Sequence, residues 1–224
     1  MTSLTWLGHH FDLLPHKAMH WRDQRALIIA DAHFGKAAAF REAGIPVPEA
    51  TTLADLNRLD DALSITGAMR LIIVGDLLHA RSGRAPHTME LLAAWRRTHL
   101  ALEIILVRGN HDHHAGDPPE EWNIQSHDDP WIDGGMVFCH APCEHEAGPV
   151  ISGHIHPCIT MHDVDGSIHR APCFLFRRRP RQSLLPAFGS FTGTHPVQPI
   201  KGDRVFAIGS DEVAEIRGVA RTRA

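Results

Sequence analysis

The chain is organised around Leu71-Ile72-Ile73-Val74-Gly75-Asp76-Leu77-Leu78-His79. Four leading apolar residues, rich in β-branched side chains and without helical periodicity, predict a buried parallel strand. Gly75 then lets the backbone turn sharply where the strand ends. Because open α/β sheets bind ligands outside the carboxyl ends of their strands, Asp76 is a candidate functional carboxylate. An ordinary turn aspartate is the alternative when this pair of residues is considered alone.

The same construction, an apolar strand followed by side chains that bind metals, recurs along the chain. Asp31 and His33 follow Leu27–Ala30, Asn110, His111 and Asp112 follow Ile104–Val107, His140 follows Met136–Cys139, and His154 and His156 follow Pro149–Ser152. Side chains two residues apart in an extended backbone point the same way, so Asp31 and His33 can reach one ion. Five such strand ends are hard to explain as turns.

Length and composition bound the architecture. The chain has 224 residues and 43% apolar content, which is ample for a core, and no linker divides it. We therefore expect a single domain over residues 1–224. The sequence shows no basic segment followed by a long apolar run, and no 18-residue apolar stretch, so we expect a soluble cytoplasmic protein without a membrane partner.

The four cysteines form no Cys-x-x-Cys pair. Cys139 and Cys143 bracket His140, which leaves a zinc site as an alternative. Reduced, mostly structural thiols at Cys139, Cys143, Cys158 and Cys173 are the preferred interpretation.

The net charge of −4 is unevenly distributed. From Arg170 onward there are 10 Lys or Arg against 4 Asp or Glu, whereas the first 169 residues hold 12 against 22. The cationic C-terminal part modestly favours a polyanionic substrate.

Local patterns predict the order of the elements. Residues 1–25 predict an edge hairpin or short strands, followed by a strand at Ala26–Ala30 and a short helix from Gly35 to Arg41 that Gly44–Pro48 terminates. Thr51 or Thr52 is expected to cap a helix with Leu53, Leu56, Leu59 and Leu63 on its apolar face and Asp55, Asp60 and Asp61 on its solvated face. A further helix is predicted at Ala85–His99, and short strands at 136–139, 149–152, 158–164, 173–176 and 204–208.

Alternation of strands and helices up to Asp112 predicts a parallel α/β core. The short strands that follow predict a second, more antiparallel sheet packed on the first.

The strand-end side chains together predict a metal site. Carboxylate, imidazole and amide ligands suit Mn²⁺, Fe or Zn²⁺ better than Ca²⁺. Seven ligands are too many for one ion, and two ions that share Asp76 as a bridge would use them all and form a clamp for phosphoryl chemistry. The predicted ligands are Asp31, His33, Asp76, Asn110, His140, His154 and His156.

The ordered motifs Asp-x-His, Gly-Asp, Gly-Asn-His-Asp, His and Gly-His-x-His closely resemble the calcineurin-like metallophosphoesterase superfamily. Further segments resemble the bacterial ligase-associated DNA damage response endonuclease family over most of the chain. These segments are Ala30–Lys36, Phe40–Pro48, Gly75–His79, Gly153–Pro157 and Leu185–Gly193. The resemblance implies an αββα sandwich of two mixed β-sheets flanked by helices, and metal-dependent hydrolysis of phosphodiester bonds, expected in DNA. It further implies work in DNA repair beside a DNA ligase, a helicase and a nuclease.

The resemblance also implies roles for individual residues. Asp31, His33, Asp76 and His156 would hold one ion, and Asp76, Asn110, His140 and His154 the other. Mn²⁺ is the expected metal because borderline and oxygen ligands mix at this site. His111 would protonate or stabilise the leaving oxygen, and Asp112 would orient its imidazole. His79 would contact substrate or have a structural role.

Basic residues supply the remaining candidate contacts to substrate. Lys36 and Arg41 could face a phosphate from the first helix, with a plain surface role as the alternative. Arg177, Arg178, Arg179 and Arg181 are expected in a hairpin turn near the metal, where they could grip a nucleic-acid backbone or merely aid solubility. Rival functions are a phosphomonoesterase or cyclic-nucleotide phosphodiesterase acting on a small substrate, and a binding scaffold without catalysis.

Overall fold

The computed structural model describes residues 1–47, 50–162 and 166–217. Pro48, the last two positions of the strand predicted at 158–164, and the end of the cationic C-terminal part lie outside the described residues.

The first sheet has seven strands in chain order. They are β1 (Thr2–Trp6), β2 (His9–Leu14), β3 (Ala18–Trp21), β4 (Ala26–Ala30), β5 (Arg70–Val74), β6 (Glu103–Val107) and β7 (Ile124–His127). Strands β1 to β4 pair antiparallel, and β4 to β7 pair parallel. The predicted N-terminal edge strands and the predicted parallel core are both confirmed.

In the described part of the chain, four α-helices connect or follow these strands. They are α1 (Lys36–Glu42), α2 (Thr51–Thr66), α3 (Pro86–Thr98) and α4 (Asn110–Ala115). Helices α2 and α3 bury Leu56, Leu59 and Leu92 against Leu71 and Ile73 on the outer face of the first sheet. As expected of crossover helices between parallel strands, they cover a sheet that is apolar on both faces.

The predicted threonine cap of α2 is wrong. Ala50 precedes the helix, makes no side-chain capping bond, and leaves Thr51 as the first helical residue. The apolar face is also narrower than predicted, because Leu53 is exposed whereas Leu56, Leu59 and Leu63 are buried.

The second sheet is mixed and contains nine strands among the residues that the structure describes. They are β8 (Trp131–Asp133), β9 (Met136–Cys139), β10 (Val150–Ser152), β11 (Pro157–His162), β12 (Ile168–Arg177), β13 (Gln182–Leu184), β14 (His195–Pro196), β15 (Arg204–Ile208) and β16 (Val213–Ile216). Strands β9, β10 and β13 run parallel, and most other pairs are antiparallel. The predicted second, more antiparallel sheet is confirmed.

The two sheets share one apolar core. Phe11 and Trp21 from the first sheet pack with Phe138, Phe174 and Phe206 from the second, and all five are essentially inaccessible to water. The expected fold of two mixed sheets with flanking helices is therefore confirmed. A single domain over residues 1–224 stays a prediction.

The prediction of reduced thiols is wrong for two of the four cysteines. Cys139 and Cys143 form a disulfide, because the loop after β9 folds back and brings their Cα atoms to 6.7 Å. A zinc site at these sulfurs is excluded since they are bonded to each other. Cys158 and Cys173 are free and buried, and burial raises the pKa of Cys173 to about 12.

Phe138 tests the shared core. Its ring lies 6.2 Å from that of Trp21 and 5.3 Å from that of Trp131, so Phe138→Ala should leave a cavity and cost about 3–5 kcal/mol of unfolding free energy. Urea unfolding measures the change. Ile132→Ala is the control, because Ile132 is 50% exposed on the adjacent strand and should change stability by no more than about 0.5 kcal/mol. Equal losses in both variants would contradict the assignment of Phe138 to the core.

Candidate metal centre

The polar strand ends of the two sheets meet at one edge of the sandwich. Strands β4 and β5 are parallel neighbours, as are β9 and β10, so each pair delivers its carboxyl-end residues to the same side. A bridge between Ala30 and Ala187 and a hydrogen bond from the Phe188 N–H to the Ala30 carbonyl join the sheets at this edge. The seven predicted ligands converge there: Asp31, His33, Asp76, Asn110, His140, His154 and His156.

Two carboxylates form the centre of this cluster. Asp31 and Asp76 are buried, with relative exposures of 0% and 2%. Asp31 Oδ1 lies 3.5 Å from His156 Nε2 and 3.8 Å from His140 Nδ1. Asp76 Oδ2 lies 3.6 Å from His33 Nε2 and 3.5 Å from His140 Nε2. Asp76 therefore lies between the two halves of the cluster.

These separations fit ions better than direct hydrogen bonds. Asp31 Oδ1 is buried and has no hydrogen-bond partner among the described residues, which is costly for a carboxylate oxygen. Two ligand atoms that share an ion at about 2.0–2.2 Å each must lie within about 4.4 Å of one another, and the separations around Asp31 and Asp76 satisfy this limit. The mixed oxygen and nitrogen donors suit a borderline divalent ion.

The second half of the cluster is formed around His140. Its Nε2 lies 2.9 Å from Asn110 Oδ1 and 3.0 Å from His154 Nδ1. The backbone N–H of His154 donates to Asp31 Oδ2 at 2.8 Å, which ties the second sheet to the first. The predicted partition into two ligand groups joined at Asp76 is compatible with these contacts.

Backbone strain is concentrated at the candidate ligands. Asp31, His33, Asp76, His154 and His156 all have positive φ angles, between 45° and 65°. Residues other than glycine rarely adopt this conformation, which costs on the order of 1–3 kcal/mol each where the surroundings enforce it. Such strain is typical of functional sites.

Glycines make room for the ligands. A Cβ on Gly75 would lie 1.9 Å from His140 Nδ1, and one on Gly153 would lie 2.5 Å from Asp31 Oδ2. The backbone after each strand therefore approaches a ligand from the opposite sheet more closely than any side chain would permit.

Burial governs the protonation of the cluster. Burial, with the nearby charge of Lys36 next, lowers the pKa of His33 from 6.5 to about 2, which keeps its imidazole in the neutral, metal-binding form. Burial raises the pKa of Asp76, although His140 opposes the shift. Burial lowers the pKa of His156, but the contact with Asp31 outweighs it and leaves the pKa raised.

His111 lies beside the cluster without being needed in it. Its backbone N–H donates to Asp76 Oδ1 at 2.9 Å, and its Nδ1 contacts the carbonyl of His79. A carbonyl oxygen can only accept, so Nδ1 carries the proton and Nε2 is left for other partners. The ring stacks on that of His79 at 4.9 Å and meets His33 edge-on.

The expectation that Asp112 orients the His111 imidazole is wrong. Asp112 is 3% exposed, and its carboxylate accepts backbone N–H groups of Asp76, Leu77 and Gly109 at 2.7–3.0 Å. The side chain points towards the end of β5 because α4 begins next to it. Asp112 therefore fixes the backbone that carries Asp76, and the His79 carbonyl orients His111.

Asp112→Asn tests this assignment. The amide can accept at only one oxygen and turns its NH₂ towards backbone donors. The free energy of unfolding of the metal-free protein should therefore fall by at least about 2 kcal/mol. Denaturant unfolding in chelator measures the loss. Asp128→Asn, at an exposed aspartate, should change stability by less than about 1 kcal/mol. Unchanged stability of Asp112→Asn would contradict the role of Asp112 in fixing the backbone after β5.

Lys36 and Arg41 have different surroundings. Lys36 lines the same recess as His33. Burial lowers the pKa of Lys36, and the negative charges of Asp76 and Asp31 oppose the shift. Arg41 donates to the Val47 carbonyl at 3.4 Å and so contacts its own loop. His79 lies at the cluster, with its Nδ1 3.5 Å from His33 Nδ1.

The four arginines lie in a hairpin turn, as predicted. The prediction that this turn lies near the metal is wrong. Strands β10 and β13 are parallel, with Val150 opposite Gln182, so the turn before β13 is level with the start of β10. His154 and His156 follow the other end of β10. The residues Arg178, Arg179 and Arg181 instead line a cleft of about 610 Å³ with Leu7, Glu144 and His145.

Arg177 faces a different cleft. It ends β12, and its Nε lies 3.8 Å from Asp203 Oδ2. The cleft has a volume of about 510 Å³ and is also lined by Ile155, which lies between His154 and His156 in the sequence, and by His195, whose backbone N–H donates to the His156 carbonyl. Arg177 therefore faces the cleft that reaches towards the candidate ligands, although its pairing with Gln182 places it level with the start of β10.

Asp55 was predicted on the solvated face of α2, and this is wrong. It is 4% exposed and accepts the Ser190 N–H at 3.1 Å, while Arg58 lies 2.7 Å from its Oδ1. Arg58 also donates to Ser190 Oγ and to the Phe188 carbonyl. The spacing of an acid and a base at i and i+3 was the available signal in the sequence, but the partners of Asp55 and Arg58 lie 130 or more residues away.

This network holds the segment that supports a candidate ligand. The segment is residues 188–193. At its start the Phe188 N–H donates to the Ala30 carbonyl, and at its end the Gly193 carbonyl lies 3.0 Å from His156 Nδ1. The carbonyl accepts, so His156 presents Nε2 to the cluster.

The family model of the calcineurin-like phosphoesterases matches residues 24–171. This range begins before β4 and contains all seven candidate ligands and His111. The chain belongs to the calcineurin-like phosphoesterase family. It is therefore a metal-dependent phosphoesterase, and the resemblance inferred from the motifs is confirmed.

Solved structures extend this comparison. The nuclease MPE of Pseudomonas putida is 38% identical with a TM-score of 0.84, covering 95% of this chain and 99% of that chain. YfcE, a phosphoesterase from E. coli, is 13% identical with a TM-score of 0.41, covering 85% and 97%. No curated protein matches the chain. Among the described residues, no helix is long and apolar enough to span a membrane.

Proposed function

We propose that this phosphoesterase hydrolyses phosphodiester bonds in DNA with two divalent metal ions. One observation carries the proposal: Asp76 Oδ2 is placed 3.6 Å from His33 Nε2 and 3.5 Å from His140 Nε2, as a carboxylate that bridges two ions would be. The similarity to a nuclease at 38% identity supports nucleic acid as the substrate class.

Each ion would be held by one part of the cluster. Asp31, His33, Asp76 and His156 would hold the first, and Asp76, Asn110, His140 and His154 the second. Two divalent ions in such a site activate a water molecule and stabilise charge on the attacking and leaving oxygens. We propose Mn²⁺ because borderline nitrogen ligands and hard oxygen ligands mix here, with Fe or Zn²⁺ as alternatives.

The chain's own groups would position and protonate the substrate. His111, held through Nδ1–H by the His79 carbonyl, would act as an imidazolium that is protonated on both nitrogens, and would give its Nε2 proton to the leaving oxygen and become neutral. Lys36 would pair with a non-bridging phosphate oxygen, and Arg177 with a phosphate further along the strand. His79 stacks on His111 and would limit the shape of substrate that reaches it.

The family resemblance of the motifs supports a proposal for the cellular role. We propose work in DNA repair beside a DNA ligase, a helicase and a nuclease, in the cytoplasm. Substrate class is tested first by a panel in which Mn²⁺-loaded protein is offered DNA, a nitrophenyl phosphodiester and the matching monoester. Hydrolysis of the monoester alone would favour a phosphomonoesterase.

Asp76→Asn should weaken both ions together, because a neutral amide is a poor bridge. Equilibrium dialysis followed by metal analysis should show less than two equivalents of Mn²⁺, and turnover of the phosphodiester should be largely lost. Asp61→Asn, at an exposed aspartate of α2, is the control and should bind and turn over like the parent protein. Two full equivalents with normal turnover in Asp76→Asn would remove the bridge.

His111→Gln should retain both metal equivalents and lose roughly 10²–10⁴-fold in turnover, the usual contribution of general acid–base catalysis. A substrate whose leaving group needs no proton should recover part of this loss. The neighbouring exposed His113, changed to Gln, should leave turnover unaffected. Loss of metal from His111→Gln would instead place His111 among the ligands.

A further inference from the structure

Phe191 is an exposed aromatic side chain that the fold does not explain. It is 39% exposed, and among the residues that the structure describes no other Phe or Trp is exposed to this extent. Its ring meets the partly buried ring of Phe40 edge-on, with centroids 5.3 Å apart and an interplanar angle of 79°. An edge-on contact of this kind leaves a face of the Phe191 ring available to another planar group.

The backbone that carries Phe191 is tightly held. Gly189 N–H donates to the Asp31 carbonyl at 3.1 Å, and Ser190 is bonded to Asp55 and Arg58. Thr192 Oγ1 donates to the Gly189 carbonyl at 2.8 Å. A ring on a rigid segment binds a ligand without a large cost of ordering.

The segment that carries Phe191 is hydrogen-bonded to two candidate metal ligands. Two residues before Phe191, the Gly189 N–H donates to the Asp31 carbonyl. Two residues after Phe191, the Gly193 carbonyl contacts His156 Nδ1. The ring borders a recess whose other lining residues include His33 and Lys36. An ammonium group for a phosphate and an aromatic face for a base are thus presented at the same rim.

We propose that Phe191, supported by Phe40, is a stacking site for an unpaired nucleobase next to the phosphate that is hydrolysed. This inference rests on the proposed function and extends it, because it assigns the site that would make a nucleic acid a better substrate than a small phosphodiester. Stacking on an aromatic side chain tolerates any base, since every base has a π-face. A paired base within a duplex offers its faces to its neighbours and would not fit.

The test compares two strands that share phosphates and differ in bases. Full-length Mn²⁺-loaded protein is assayed on oligothymidylate and on the same oligomer built from abasic residues. The parent protein should have the higher kcat/KM on oligothymidylate. Phe191→Ala should lower that value about 5- to 100-fold and leave the abasic oligomer unaffected. Phe191→Trp should keep the preference, whereas Phe191→Leu, apolar but not aromatic, should lose it.

A binding readout separates this inference from the catalytic proposal. An oligonucleotide with 2-aminopurine should lose fluorescence on binding to the parent protein, because stacking quenches the base, and should lose less with Phe191→Ala. Leu100→Ala, at a residue 74% exposed, is the control and should quench like the parent. Quenching that depends on Phe191 without hydrolysis of any phosphodiester would overturn the proposed function and leave the stacking site in place. Hydrolysis and quenching that are the same with and without Phe191 would overturn the stacking site alone.

Discussion

Two carboxylates buried at the ends of adjacent parallel strands impose the main constraint on this structure. A buried carboxylate is expensive unless it is hydrogen-bonded and paired with positive charge. One oxygen of Asp31 accepts the His154 N–H, and one oxygen of Asp76 accepts the His111 N–H. The remaining oxygens face imidazoles at distances too long for direct bonds, so cations between them would compensate both the charge and the missing contacts.

Asp31 and Asp76 adopt strained backbone conformations at these positions, and hydrogen bonds from the surrounding structure stabilise those conformations. Candidate ligands on three strand ends adopt left-handed backbone conformations that their residue types disfavour. The parallel pairing of β4 and β5 continues beyond the ends of these strands, because the His33 N–H donates to the Asp76 carbonyl at 2.8 Å. Asp112 adds a buried acceptor for the backbone after β5. The site is therefore a rigid feature of the sheet edges and is well suited to hold ligands in place before an ion arrives.

Basic side chains lie at both ends of the sandwich. Lys36 lies at the metal edge, where Asp31 and Asp76 compensate its charge, whereas Arg178 and Arg179 lie at the opposite end of β10 and β13. Total charge in the C-terminal part is thus a poor guide to the substrate path. The described groups around the centre include the Lys36 ammonium group, several imidazoles and the exposed Phe191 ring.

The sequence alone predicted the buried strands and the polar residues that cluster at their ends, because both are local patterns. It did not predict β7, β8, β14 or β16, which are short strands whose residues are mostly exposed or partly exposed. Parallel pairing brings the carboxyl ends of such strands together, so convergence of Asp31 and Asp76 followed from pattern alone. Tertiary structure decided the partners of Asp112, the burial of Asp55, the disulfide beside His140 and the position of the arginine turn. These depend on strand direction, register and contacts between residues distant in sequence, and a local pattern carries no information about which distant group a side chain will meet.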